Sequence, residues 1–399
     1  MKKTFVYDGK EILEKYPHRG SYTDYHILVK EMELEEIVRN MPLEVRAHMM
    51  AKAYPIYKAL EVMGRSPSDY IDDEEILVFI MEKGIRDAVH LRKKEIGLWQ
   101  AARERGSLDD IFAKIALERF NVGSTPLIEF DGREYGLEKI FVKDESKNHF
   151  GTFKDRKALY IANLAYRKNI WDMQAISSGN FGFSLANFGN AVGIRTSLIV
   201  PHNLESRIYD ALEKVAVLIG VNLDEEFLTD EKMLEIGSEK VDLGGRKVLQ
   251  ATNFYDDAYF SIFREIDESL QAGRKKPEYV IVPGGGFELA AAACRYYLDS
   301  GTKVLVASTD NSDTQATMLY AKYRPMLDFM KESIPPNKYE IIWADEREIS
   351  AAGNWAKQKG INSEPSAAAA FAALQRYSFK PSDVVVVVNT GNGTKNFIK

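Results

Sequence analysis

Tyr279-Val280-Ile281-Val282-Pro283-Gly284-Gly285-Gly286-Phe287-Glu288-Leu289 decides how the rest of this chain is read. Tyr279 to Val282 has the texture of a strand, and Glu288 to Tyr297 that of a helix. Three glycines join them, which lets the backbone turn tightly and aim successive amides at an anion held by the helix N-terminus. Reading outward, the same alternation continues in both directions. Upstream lie strands at Ile140 to Lys143, Ala175 to Ser177, Thr196 to Val200 and Lys247 to Ala251. Between and after them come helices at Phe183 to Ala191, Ser206 to Leu218 and Ala258 to Leu270. Downstream are a strand at Lys303 to Ala307, a helix at Pro365 to Tyr377 and a strand at Val384 to Val388. The five valines of that last run read as a strand buried on both faces. Strands alternating with helices predict an α/β protein with doubly wound parallel sheets.

The first 120 residues differ: they are charged, rich in methionine and tyrosine, and poor in β-branched runs. Val45, Met49, Ala53, Ile56 and Leu60 recur at helical spacing, as do Ile76, Phe79, Ile80 and Ile85. Ser107 stands where it would cap a helix over Leu108 to Arg119. The expectation is a helical extension over 1–120, packed on a large domain, with a mobile regulatory arm as the alternative that the apolar stripes weigh against.

Composition narrows the function. The chain has 399 residues, 45% of them hydrophobic and 28% charged, enough for two or three domains. A net charge of −6 argues against a general binder of nucleic acid or anionic membrane, since those use a basic face. No run approaches the ~20 apolar residues of a membrane helix, and the basic N-terminus has no apolar segment behind it. The single cysteine, Cys294, lies in a helix-like alanine run and reads as a small packed hydrophobe in a reducing compartment. Together these point to the cytoplasm.

Three more segments carry chemistry. Gly151-Thr152-Phe153-Lys154-Asp155-Arg156 puts a lysine at a helix start, where the dipole disfavours it. That field and partial burial lower the ammonium pKa and free the amine for Schiff-base chemistry; alone, Lys154 would be read as pairing with Asp155. Ser177-Ser178-Gly179-Asn180 lies at a strand-to-helix junction, its amides and the Asn180 side chain suited to a carboxylate and a ring oxygen, or Asn180 merely caps the helix. Thr390 follows the last strand and offers a neutral hydroxyl to a ring nitrogen. An amine, an anion-binding loop and ring-orienting polar groups are what pyridoxal 5'-phosphate needs. The dinucleotide-binding spacing is absent from the triple-glycine loop.

Over residues 121–399 the set resembles the fold type II pyridoxal phosphate enzymes, and the threonine synthase family most closely. Gly123-Ser124-Thr125-Pro126-Leu127 is similar to that family's Gly-Asn-Thr-Pro-Leu. Val142-Lys143-Asp144-Glu145 followed by the Lys154 segment is similar to its lysine motif, and Ser177 to Asn180 to its asparagine loop. Glu364-Pro365-Ser366-Ala367-Ala368-Ala369 resembles its helix start, and Thr390-Gly391-Asn392-Gly393-Thr394-Lys395-Asn396 its closing motif.

The resemblance implies a homodimer acting on a small-molecule amino acid with an oxygen leaving group, as in conversion of O-phosphohomoserine to threonine. β-Replacement or β-elimination on serine, phosphoserine or threonine is the alternative, and a non-catalytic partner-binding relative a second. It implies Lys154 as the cofactor lysine and catalytic base. Asn180, Gly284, Gly285, Gly286, Phe287 and Thr390 would hold the cofactor, and Ser177, Ser178, Gly179, His149 and Phe181 the substrate. No metal site is expected. A large domain would comprise 121–155 and 255–399, and a small one 156–254. The sequence departs from the family at Asn148-His149-Phe150, Phe181 and Lys157, where the family has Asn-Pro-Thr, Thr and Gly. Bulkier residues there should reshape the pocket, with Arg156, Lys157 or His149 as donors to a substrate phosphate.

Overall fold

The computed structural model describes residues 66–393 except 86–87, 178, 224–227, 241–246, 253–255, 272, 274 and 321–323, together with 38–39, 43–44 and 46–47. The chain divides into two compact units, Met1–Arg119 and Phe120–Lys399.

In the first unit the described elements are helices α1 (Asp73–Glu82), α2 (Ala88–Lys94), α3 (Ile96–Arg105) and α4 (Leu108–Glu118). A capping box starts α1: Asp72 accepts the Glu75 amide while the Glu75 side chain reaches back to the Asp72 amide. Ile76, Phe79, Ile80 and Ile85 pack with Leu91, Leu98, Ala101, Ala102 and Ile111, so the second helical spacing marks a core. The first spacing, Val45 to Leu60, lies outside the described residues. Ser107 takes the first helical bond of α4 on its carbonyl, but its hydroxyl donates to Asp73 at 2.8 Å.

The second unit alternates strands and helices: β1 (Leu127–Asp131), β2 (Lys139–Asp144), α5 (Lys154–Arg167), β3 (Asp172–Ile176), α6 (Asn180–Ala191), β4 (Arg195–Pro201), α7 (Ser206–Glu213), β5 (Val217–Val221), α8 (Asp230–Lys240) and β6 (Val248–Gln250). It continues with α9 (Phe260–Gln271), β7 (Tyr279–Pro283), α10 (Glu288–Tyr296), β8 (Lys303–Ser308), α11 (Pro325–Ser333), β9 (Tyr339–Trp343), α12 (Glu346–Gln358), α13 (Pro365–Arg376) and β10 (Val385–Asn389). A six-stranded sheet has the order β1-β2-β10-β7-β8-β9 and a four-stranded sheet the order β5-β4-β3-β6. All neighbours are parallel except β1, which runs antiparallel to β2. This is the doubly wound α/β architecture expected.

The valine run of β10 is buried on both faces. Val385 and Val387 enter the core under α13, and Val386 and Val388 the core that holds α9 and α10. Period-two alternation thus feeds two cores from one strand. One expectation fails. Ser206 to Leu218 is not a single helix: α7 stops at Glu213, and Val217 opens β5, paired with β4 from Ser197 to Pro201. β5 is an edge strand in which Ile219 alone is fully buried, so its short apolar run matched helix and strand equally well. Cys294 is buried in α10, where burial pushes its thiol up to about 12. Among the described residues no helix is long and apolar enough to cross a membrane.

Candidate active site

The segment before α5 is held by the segment after β10. The Phe153 amide donates to the Thr390 carbonyl at 2.8 Å and the Asn392 amide to the Gly151 carbonyl at 3.0 Å, with a bridge between Thr152 and Gly391. The chains approach so closely that a Cβ on Gly391 would sit 2.8 Å from the Gly151 oxygen. This clamp fixes where α5 begins, and so where Lys154 points. Asp155 ties the same turn to α6, accepting the Phe150 amide at 2.7 Å and the Ser184 hydroxyl at 2.5 Å.

Lys154 faces a cavity of ≈ 290 Å³ between the two sheets. Asn180, Ser177, Gly179 and Phe181 line it from the four-stranded side, and Gly285, Gly286, Phe287 and Thr390 from the six-stranded side. Burial lowers the Lys154 ammonium pKa, Glu364 and Glu288 pull it back up, and Lys157 lowers it further. Burial conversely raises the Glu364 carboxyl against the pull of Lys154.

The glycine loop divides its labour. The Gly284 amide donates to the Ala307 carbonyl at 2.8 Å, so it is not available to an anion. Among the described residues no hydrogen bond engages the amides of Gly285, Gly286 or Phe287. Phe287 caps α10 at φ 64, a left-handed conformation that costs a non-glycine residue about 1–3 kcal/mol. Its ring is buried, which holds that turn in place. On the facing side, Asn180 Oδ1 is buried with no hydrogen-bond partner among the described residues, an acceptor that a ligand donor would satisfy. Asn180 is already the first residue of α6, and it is the Ser177 hydroxyl that accepts the Gly182 amide, at 2.8 Å.

The sequence-predicted residues do not all converge. Ser178 lies outside the described residues. His149 stays outside the cavity, exposed, stacked edge-on against Phe120 and Phe150. Arg156 is consumed by Glu145 and Glu265, each at 2.7 Å. Lys157 does reach the cavity, as do Glu288 and Glu364. Glu364 opens the Glu364–Ala369 segment, where its place before a helix reads as structural, and Glu288 carries no signal beyond its place in the first turn of a helix.

The model of one protein family, described as pyridoxal-phosphate dependent enzyme, matches residues 119–391. A threonine synthase of Halalkalibacterium halodurans is 26% identical over 304 residues, covering 69% of this chain and 83% of the relative. A threonine synthase of Methanocaldococcus jannaschii is 22% identical over 346 residues, covering 77% and 82%. The solved serine racemase of Dictyostelium discoideum superposes with a TM-score of 0.57 at 19% identity, over 71% of this chain and 97% of the racemase. At that identity the likeness is one of fold.

Proposed function

The chain belongs to the pyridoxal-phosphate dependent enzymes, and from that premise we propose that it eliminates or replaces an oxygen leaving group on a small amino acid, as threonine synthase does with O-phosphohomoserine. The observation that carries this reading is the pair Lys154 and Lys157, three residues apart on α5 and both lining one cavity. One amine serves the cofactor and leaves a second cation for an anionic substrate group. A racemase of the same fold shows why the site, not the architecture, must decide.

The residues suit pyridoxal phosphate: an unengaged amide row, an orphaned amide oxygen and a buried amine converge on one space. In this reading Lys154 is the attachment point, and Gly285, Gly286 and Phe287 hold the phosphate. Asn180 would meet the ring oxygen, and Thr390 the ring nitrogen. Ser177 and Gly179 flank the α-carboxylate. When bound, the cofactor supplies a sink for negative charge at the substrate α-carbon. Lys154 takes the α-proton and returns it, a task suited to an amine whose pKa burial has lowered. Thr390 would bring a neutral hydroxyl, not a carboxylate, to the ring nitrogen, an environment suited to loss of a leaving group more than to amino transfer. Phe181 narrows the space beside the reacting carbon.

We assign 121–155 and 255–399 to the large domain and 156–254 to the small one, in a cytoplasmic homodimer whose mass light scattering would measure. Product analysis with O-phosphohomoserine, O-phosphoserine, serine and threonine tests the reaction. Turnover of the phosphorylated substrates should dominate; faster turnover of free serine or threonine replaces the proposal with a dehydratase.

A further inference from the structure

Lys157 is a charged side chain with little contact with water. Its side chain is 2% exposed, and its ammonium donates to Glu288 Oε2 at 3.0 Å and to the Thr252 carbonyl at 3.1 Å. The face of Phe181 lies 5.2 Å from the same nitrogen. A buried ammonium needs paired charge, and it has three donors, of which these contacts use two. Its carboxylate partner among the described residues is differently placed: the Glu288 side chain is 39% exposed. The carboxylate can swing into water; the ammonium cannot.

Among the described residues that line the cavity, Lys154 and Lys157 are the cations. In the reading above Lys154 is committed to the cofactor, whose phosphate has the amides of Gly285 to Phe287. Lys157 is left over, one helical turn from the reacting centre. Resting on that reading of the site, we infer that Lys157 selects amino acids bearing a second, distal anion, phosphate above all, and that Glu288 holds its ammonium until this anion displaces it.

The test is equilibrium binding to the holoenzyme of 2-amino-5-phosphonopentanoate, which has no leaving group, with norvaline as its uncharged counterpart. The wild type should bind the phosphonate at least tenfold more tightly than norvaline. Lys157→Met should weaken phosphonate binding roughly ten- to hundredfold, as expected for a charge-assisted hydrogen bond, and leave norvaline unchanged. Glu288→Gln removes the competing carboxylate and should tighten phosphonate binding several-fold. That variant keeps the test decisive where Lys157→Met does not fold. Three results overturn the inference: no preference in the wild type, equal loss of both ligands in Lys157→Met, or weaker or unchanged phosphonate binding in Glu288→Gln. Loss of cofactor from Lys157→Met at concentrations that saturate the wild type also overturns it, by making Lys157 a partner of the cofactor's phosphate. Selective phosphonate binding without turnover of O-phosphohomoserine would sink the reaction proposed above and leave Lys157 its role.

Discussion

Gly285 and Gly286 are adjacent and chemically identical, yet a methyl group would meet quite different surroundings at each. At Gly285 it would stand 1.8 Å from the Met318 carbonyl oxygen, so backbone must move; at Gly286 it would meet nothing within 4 Å. That empty side belongs to a residue that lines the cavity. Gly286→Ala should therefore keep the fold, with melting within a few degrees of wild type, and lose at least tenfold in cofactor affinity. Gly285→Ala should destabilise the protein itself, by about 1–3 kcal/mol as for other overpacked sites. Unaltered cofactor affinity in Gly286→Ala would remove the loop from the phosphate. The glycine pattern was readable because only glycine permits such approaches. What each glycine does was not. That Gly284 spends its amide on Ala307 depends on β8, more than 20 positions along the chain. His149 misled for the same kind of reason: proximity to Lys154 in sequence says nothing about direction, and the aromatic cluster of Phe120, Phe150 and Phe188 turns that segment away from the cavity.

At the scale of elements, the join between α5 and α6 is a titratable one. Burial pushes the Asp155 carboxyl up to about 7, against hydrogen bonds from Ser184 and the Phe150 amide that favour its ionised form. Its folded pKa thus lies above its unfolded one. Between about pH 4 and 7 the folded state retains a proton that the unfolded state has lost, so this contribution is fully present below about 4 and disappears as the pH rises through 7. Stability should fall across that window by on the order of a few kcal/mol, read as a falling melting temperature, and Asp155→Asn should flatten the dependence. An unchanged pH profile in that variant would place the titration elsewhere. Elements with buried apolar faces were legible from sequence, β2, β7, β8, β10 and α10 among them. Those decided by partners were not. β1 and β9 lie at the sheet margins and mix charged residues with apolar ones, and the first two residues of β5 continue the apolar pattern of the helix before it, from which only the ladder with β4 separates them.

Over the whole molecule, the candidate site draws on both sheets, so a ligand there bridges two halves of the second unit. Cofactor that binds only the folded state should stabilise it by about 2.7 kcal/mol at a hundred times its Kd. A thermal scan with and without pyridoxal phosphate reads this directly. On the proposed assignment of Lys154 as the attachment point, Lys154→Ala should keep a smaller shift, since the amides remain. No shift in the wild type would mean that the cavity does not take the cofactor.

The position of β10 also matters during synthesis. The strands that flank it, β2 and β7, are both made earlier, and neither pairs with the other in the finished sheet. A nascent chain must therefore carry two unsatisfied strand edges until residue 389 has left the ribosome. Thr390, which anchors the segment leading to Lys154, is translated immediately afterwards. The clamp that sets the start of α5, and with it the direction of Lys154, thus forms only once the sheet is closed. A growing or prematurely terminated polypeptide lacks that clamp, and its open strand edges are of the kind that chaperones and proteases engage.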